Sequence, residues 1–252
     1  MYDTGCIATY YENRNVCELY HIFFGEKKYK KYYENRKLHI KLIENKNKIF
    51  FQEWDEDGDL LIKYEIFKKK SQTHDIPIHN STKNIKIYYP NGKIYINYDT
   101  VNGHKEGLYQ EFYPSGTKWM EKNYKNGELD GISIVYNPNG NLFEKCNHIN
   151  GKIEGPYIQL HDDGTLYVKT NYVNGELNGT YEVWNEDGIL IKKCKYINGL
   201  LDGICEEWNE YGILVEKYTC INGKREGLFQ LWHDNGELKV QYSYINGERQ
   251  LE

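Results

Sequence analysis

Glycine recurs in this chain with a period of 24 residues, and three such series interlock. One occupies positions 92, 116, 140, 164, 188, 212 and 236, and a second occupies 103, 127, 151, 175, 199, 223 and 247. The third, at 107, 131, 155, 179, 203 and 227, always falls four residues after the second. A fixed period of this length marks a stacked repeat, in which each unit buries its apolar face only against its neighbours. Each unit reads N-G-x-x-x-G, a strand-like stretch, a turn ending in Gly, then a second strand-like stretch.

The turns carry the chemistry of chain reversal. Asn102, Asn126, Asn150, Asn174, Asn198, Asn222 and Asn246 precede the second glycine series. Asn-Gly enters left-handed backbone conformations at little cost, as a tight reversal between twisted strands requires. The first series closes turns such as Pro90-Asn91-Gly92 and Pro114-Ser115-Gly116, then Asp-Gly at 163–164 and 187–188. Two reversals per unit predict two antiparallel strands per unit. A parallel β-solenoid shares the period, but the Asn-Gly reversals argue against it.

Strand columns agree with that reading. Phe112, Tyr136, Leu160, Trp184, Trp208 and Trp232 align in one column, Leu142, Leu166, Leu190, Leu214 and Leu238 in another, and Tyr124, Tyr172, Tyr196 and Tyr244 in a third. Alternation along 238–244 puts the large apolar residues on one face. With 8 Phe, 5 Trp, 25 Tyr and a single alanine, Ala8, the composition favours strands over helices. It also argues against disorder, in spite of a mean hydropathy of -0.80.

The N-terminal third reads as a decayed form of the same unit. Tyr11-Glu12-Asn13-Arg14 and Tyr33-Glu34-Asn35-Arg36 put Arg at the turn-glycine position, and Trp54-Asp55-Glu56-Asp57-Gly58 parallels Trp184-Asn185-Glu186-Asp187-Gly188. Residues 1–67 are thus expected to form degenerate capping repeats, 68–83 an insertion or loop, and 84–252 the regular array.

The unit N-G-x-x-x-G-(x)4-Tyr/Trp-(x)3-Gly-x-Leu resembles the MORN repeat in its variant, YwqK-type form, strongly over 84–247 and weakly over 10–67. The G-x-G that ends the standard unit is largely missing here. The resemblance implies an all-β fold, an elongated, twisted, single-layer antiparallel sheet of stacked β-hairpin repeats. It further implies a scaffold rather than an enzyme.

Catalytic signatures are absent: there is no G-x-S-x-G, P-loop or H-E-x-x-H. Asp162-Asp163 and Glu186-Asp187 fall in turns, where Asp favours reversal. The six cysteines form no C-x-x-C pair, so no metal site is expected, and they read as reduced, mostly buried small hydrophobes. No catalytic residue and no cofactor is assigned.

Charge narrows the partner. The chain carries 32 basic and 37 acidic residues, -5 in total; residues 1–80 hold 14 and 13, leaving 18 and 24, or -6, from residue 81 onwards. Nucleic-acid binding needs a basic excess that this chain lacks. The dense run Lys27-Lys28-Tyr29-Lys30-Lys31 reads as a lysine-protected strand edge, with weak contact to an anionic membrane as the functional alternative. No apolar run approaches the ~18 residues of a membrane helix. The N-terminus lacks a secretory pattern, so an intracellular protein is expected. Lysine outnumbers arginine 28 to 4, the codon bias of an AT-rich genome such as that of a protist, bacterium or large DNA virus.

The resulting expectation is a scaffold for an unidentified protein partner along an aromatic face, with Trp184, Trp208, Trp232, Tyr172 and Tyr196 as contact residues. Aromatics also make the core of such a sheet, so the same column has a purely structural reading. The strand carrying Leu238, Val240, Tyr242 and Tyr244 reads as an uncapped edge that pairs two copies into a homodimer, with a short cap formed by the last residues as the alternative. A peripheral phospholipid adaptor and an antitoxin or immunity-like protein are the rival functions.

Overall fold

The computed structural model describes residues 5–10, 16–23, 26–68 and 82–250. Among them there are strands and turns and no helix. The chain divides into two compact units, 1–128 and 129–252.

In the first unit, strands Gly5–Tyr10, Val16–Phe23, Glu26–Tyr32, Leu38–Glu44, Lys48–Trp54, Leu60–Lys68, Thr82–Tyr88, Ile94–Val101, His104–Phe112 and Lys118–Lys125 pair antiparallel, each with the next in sequence. The second unit continues the pattern through Glu128–Tyr136, Leu142–Ile149, Gly155–Leu160, Leu166–Val173, Gly179–Trp184, Leu190–Ile197, Leu200–Trp208, Leu214–Ile221, Gly227–Trp232 and Leu238–Ile245. Two-residue segments at Lys152–Ile153, Glu176–Leu177, Lys224–Arg225 and Glu248–Arg249 complete its hairpins. Each unit is an open, single-layer antiparallel meander of hairpin repeats.

The glycine series explain the meander. All seven turn asparagines have positive φ, from 49° at Asn150 to 54° at Asn174, and each is followed by a left-handed glycine. The third series makes a bulge. Cys194 faces Cys205 and Tyr196 faces Leu201, so residues 202–204 oppose Lys195 alone. Gly203 sits there at φ 127°, and a Cβ on it would lie 3.0 Å from the Cβ of Lys195. Neighbouring repeats interlock at the tips, where the Gly151 N–H donates to Leu129 O at 2.8 Å and the Gly199 N–H to Leu177 O at 2.9 Å.

The degenerate repeats keep the turn geometry. Arg36 holds the left-handed position with φ 71°, and Gly58 has φ 93°. Tyr11–Arg14 and most of the expected 68–83 insertion, residues 69–81, lie outside the described residues. The flanking strands pair directly, with Lys68 opposite Lys83.

Two expectations are corrected. The lysine run is no sheet edge: Glu26–Tyr32 pairs on both sides, and its lysines reach carboxylates, Lys28 to Glu26 at 2.8 Å, Lys31 to Glu18 at 3.8 Å and Lys27 to Glu44 at 3.9 Å. Nor are all the cysteines thiols. Cys194 and Cys205 face one another across adjacent strands, with Cα atoms 4.1 Å apart, and form a disulfide. Cys17, Cys146 and Cys220 are not disulfide-bonded.

Candidate functional site

Strand alternation gives each unit two unlike faces. Buried strand residues fall on one: Thr100 and Tyr109 in the first unit, and Ser133, Cys146, His148, Val168, Thr170, Val183, Cys194, Cys205, Cys220 and Phe229 in the second. We call this the packed face. Just past the bulges, rings oppose one another, Tyr98 and Tyr109 at 5.4 Å and Tyr218 and Phe229 at 6.1 Å. One rung on, rings meet edge to face, Tyr109–Tyr124 at 5.7 Å, Tyr157–Tyr172 at 5.8 Å, Tyr181–Tyr196 at 5.9 Å and Phe229–Tyr244 at 6.1 Å. Such offset geometries are those the ring quadrupole favours.

These aromatic clusters are filled by the chain itself. Lys105 Nζ lies 5.5, 4.1 and 4.9 Å from the rings of Tyr98, Tyr109 and Tyr124. Arg225, in the same repeat column, lies 4.9, 4.6 and 5.6 Å from Tyr218, Phe229 and Tyr244. Leu129, Ile153, Leu177 and Leu201 take that position in the repeats between. Burial lowers the Lys105 ammonium below its usual range and raises the Tyr109 phenol well above its own, the latter reinforced by its hydrogen bond to Glu111. Tyr109 therefore stays neutral and acts as a packing group.

The predicted contact residues divide accordingly. Tyr172 and Tyr196 lie on the packed face, each half-buried against the ring before it. Trp184, Trp208 and Trp232 close their strands opposite Leu190, Leu214 and Leu238 and are half-buried. His161 Nε2 lies 3.0 Å from the carbonyl oxygen of Trp184, tying one repeat to the next. In the last strand Leu238 is exposed, while Val240, Tyr242 and Tyr244 are half-buried. Tyr242 is stacked on Phe229 and covered by Arg249 at 3.4 Å. Glu248 and Arg249 pair with Ile245 and Tyr244 at the distal end of this strand.

The opposite face carries a surface that the column reading missed. Ile149, Val173, Ile197, Ile221 and Ile245 stand one per repeat, between 37% and 53% exposed, with Ile132, Ile204 and Leu228 as a second broken row. We call this the open face. Its signal was legible: a β-branched residue immediately precedes these turn asparagines, one position beyond Tyr172, Tyr196 and Tyr244, and so on the other face. Lys145, Lys169, Lys193 and Lys217 form a parallel row on the open face. Lys193 pairs with Glu182 at 2.9 Å and Lys217 with Glu206 at 2.8 Å. Thr180, Lys193, Lys195, Ile204 and Glu206 line a shallow depression around Gly203.

Polar groups elsewhere serve the fold. Asp163 Oδ1 accepts hydrogen bonds from the N–H and hydroxyl of Thr165 at 2.8 and 2.7 Å, which hold its carboxyl below the usual range. Ser133 Oγ and His148 Nδ1 form a buried hydrogen bond at 3.1 Å. Among the described residues, no three His, Cys, Asp or Glu side chains are arranged to hold a metal ion, and no helix is long and apolar enough to cross a membrane. A family model described as the MORN repeat variant matches residues 105–126, 129–150, 177–198 and 225–246. No curated protein matches the chain.

Proposed function

Because the chain carries MORN-variant repeats between residues 105 and 246, we propose that it is a non-enzymatic scaffold that holds a protein partner against the open face of its repeat sheet. The aliphatic row Ile149, Val173, Ile197, Ile221 and Ile245 carries this reading. Single exposed aliphatic residues are ordinary, but a row repeated every two strands, about 9.6 Å, is a periodic apolar track, with Lys152, Glu176, Lys224 and Glu248 standing opposite four of its members. Tyr172 and Tyr196 are engaged in packing ring against ring, so they offer less free surface. Salt-bridged Lys193 and Lys217 give the track a polar border, the usual arrangement of an interface rim.

The test is differential capture. A partner held by the wild-type chain is expected to be released by Ile197→Glu with Ile221→Glu and kept by Trp208→Ala, with the β-sheet circular dichroism of each variant unchanged. Release by Trp208→Ala and retention by the double variant would move the contact surface to the aromatic column.

A second reading is an anionic membrane as the partner, favoured by Lys145 and Lys169 beside the aliphatic row. The -6 balance from residue 81 onwards opposes it. Flotation with neutral and anionic vesicles separates the two: co-flotation with anionic vesicles alone selects the membrane, and its absence leaves the protein partner.

A further inference from the structure

Three cysteines of the second unit replace rings. In the repeat columns of the packed face, Cys194, Cys205 and Cys220 occupy the positions held 24 residues on by Tyr218, Phe229 and Tyr244. There the central ring, Phe229, contacts both others, Tyr218 at 6.1 Å across the strands and Tyr244 at 6.1 Å on the diagonal. Cys205 inherits both relationships. It faces Cys194 directly, and its neighbour Gly203 faces Cys220. The three side chains are 1%, 0% and 4% exposed.

We propose that Cys205 is the hub of a disulfide-exchange site, at which the bond to Cys194 can be passed to Cys220. Cys220 gives up its proton, and its thiolate attacks Sγ of Cys205. The Cys205–Cys220 bond forms as the Cys194–Cys205 bond breaks, and the electron pair leaves on Cys194 Sγ, which takes up a proton. The step consumes no oxidant or reductant. The first bond closes the Asn198-Gly199 hairpin, whereas the second ties strand Leu200–Trp208 to Leu214–Ile221.

Two features control the transfer. Diagonal neighbours in a sheet lie roughly 7–8 Å apart, and a disulfide spans up to about 6.8 Å between Cα atoms, so the Cα atoms of Cys205 and Cys220 must approach by up to about 1 Å. Burial also raises the Cys220 thiol above its usual range, partly offset by Arg225, which keeps the attacking thiolate scarce. The exchange is therefore slow.

Peptide mapping of the full chain under non-reducing conditions, after acid quench and alkylation, tests this. The untreated protein is expected to give the Cys194–Cys205 peptide with Cys220 alkylated. Two preparations should then yield a Cys205–Cys220 peptide: wild type held at mildly alkaline pH, and Cys194→Ser exposed to oxidised glutathione. Its appearance in either supports the proposal, and the wild-type arm avoids any folding defect of the variant. Its absence from both, with Cys220 fully alkylated, overturns it.

Discussion

The carboxylate of Glu154 accepts a hydrogen bond from the backbone N–H of Asn174, 2.6 Å away and one repeat on. The relationship recurs from Glu106 to Asn126 at 2.7 Å, Asp202 to Asn222 at 2.9 Å and Glu226 to Asn246 at 2.7 Å. An acidic residue before the third glycine thus secures the left-handed turn of the next hairpin, and part of the acidic excess of the array has this structural origin. At Asn178 the acid is missing and the side-chain amide donates instead to Asn198 Oδ1 at 3.3 Å. Glu154→Ala is expected to cost roughly 1 kcal/mol, and Asn178→Asp to add a few tenths, both read from urea unfolding midpoints.

Gly203 and Gly227 occupy the same column with different surroundings. A Cβ at 203 meets Lys195 at 3.0 Å with φ 127°, whereas at 227 nothing lies within 4 Å and φ is 72°. Gly203→Ala should therefore cost roughly 2–3 kcal/mol and Gly227→Ala about 1 kcal/mol. Equal losses in denaturant unfolding would show that the bulge is not held as described.

Arg225 stands where Leu201 stands one repeat earlier. If its main work is to fill the cluster of Tyr218, Phe229 and Tyr244, Arg225→Leu should change stability by less than about 1 kcal/mol, and Arg225→Ala should lose more. The ion pair to Glu216, 3.4 Å and partly exposed, is expected to add little. A larger loss for Leu than for Ala would reverse that assignment.

Tyr29 and Tyr88 are raised from the usual 10.0 to about 12, by burial first and then by Glu18 and Glu65 respectively. A raised phenol binds its proton more tightly in the folded chain than in the unfolded one. Its stabilising contribution is full below pH 10 and is lost as pH climbs through about 12. Stability is thus expected to fall over that window, with a shallower fall in Tyr29→Phe and Tyr88→Phe. An unchanged slope in both variants would contradict these assignments.

Most of the fold was legible because turn chemistry is local. Asn-Gly pairs, the turn glycines and even Arg36 report backbone conformation position by position, without knowledge of the packing. The candidate surface was less legible. Large aromatic side chains marked the column carrying Tyr172 and Tyr196, but in a single layer these rings satisfy one another. The exposed row lay in the smaller residues Ile149 to Ile245, which composition does not highlight. The Cys194–Cys205 bond was hidden for a different reason: its register depends on the three-residue bulge at 202–204, and a simple two-residue hairpin would put Cys205 out of line with Cys194. The lysine run at 27–31 misled because strand order, not charge, decides whether a strand is an edge.

The most direct measurement of the central claim uses two adjacent lysines. Lys192 lies on the packed face against Glu207 at 2.7 Å, and Lys193 on the open face against Glu182 at 2.9 Å. Amine-reactive labelling of the full chain, alone and with its captured partner, should show protection of Lys193 and its neighbour Lys195 with Lys192 unchanged. Protection of Lys192 with Lys193 still reactive would contradict an open-face scaffold and return the partner to the aromatic side.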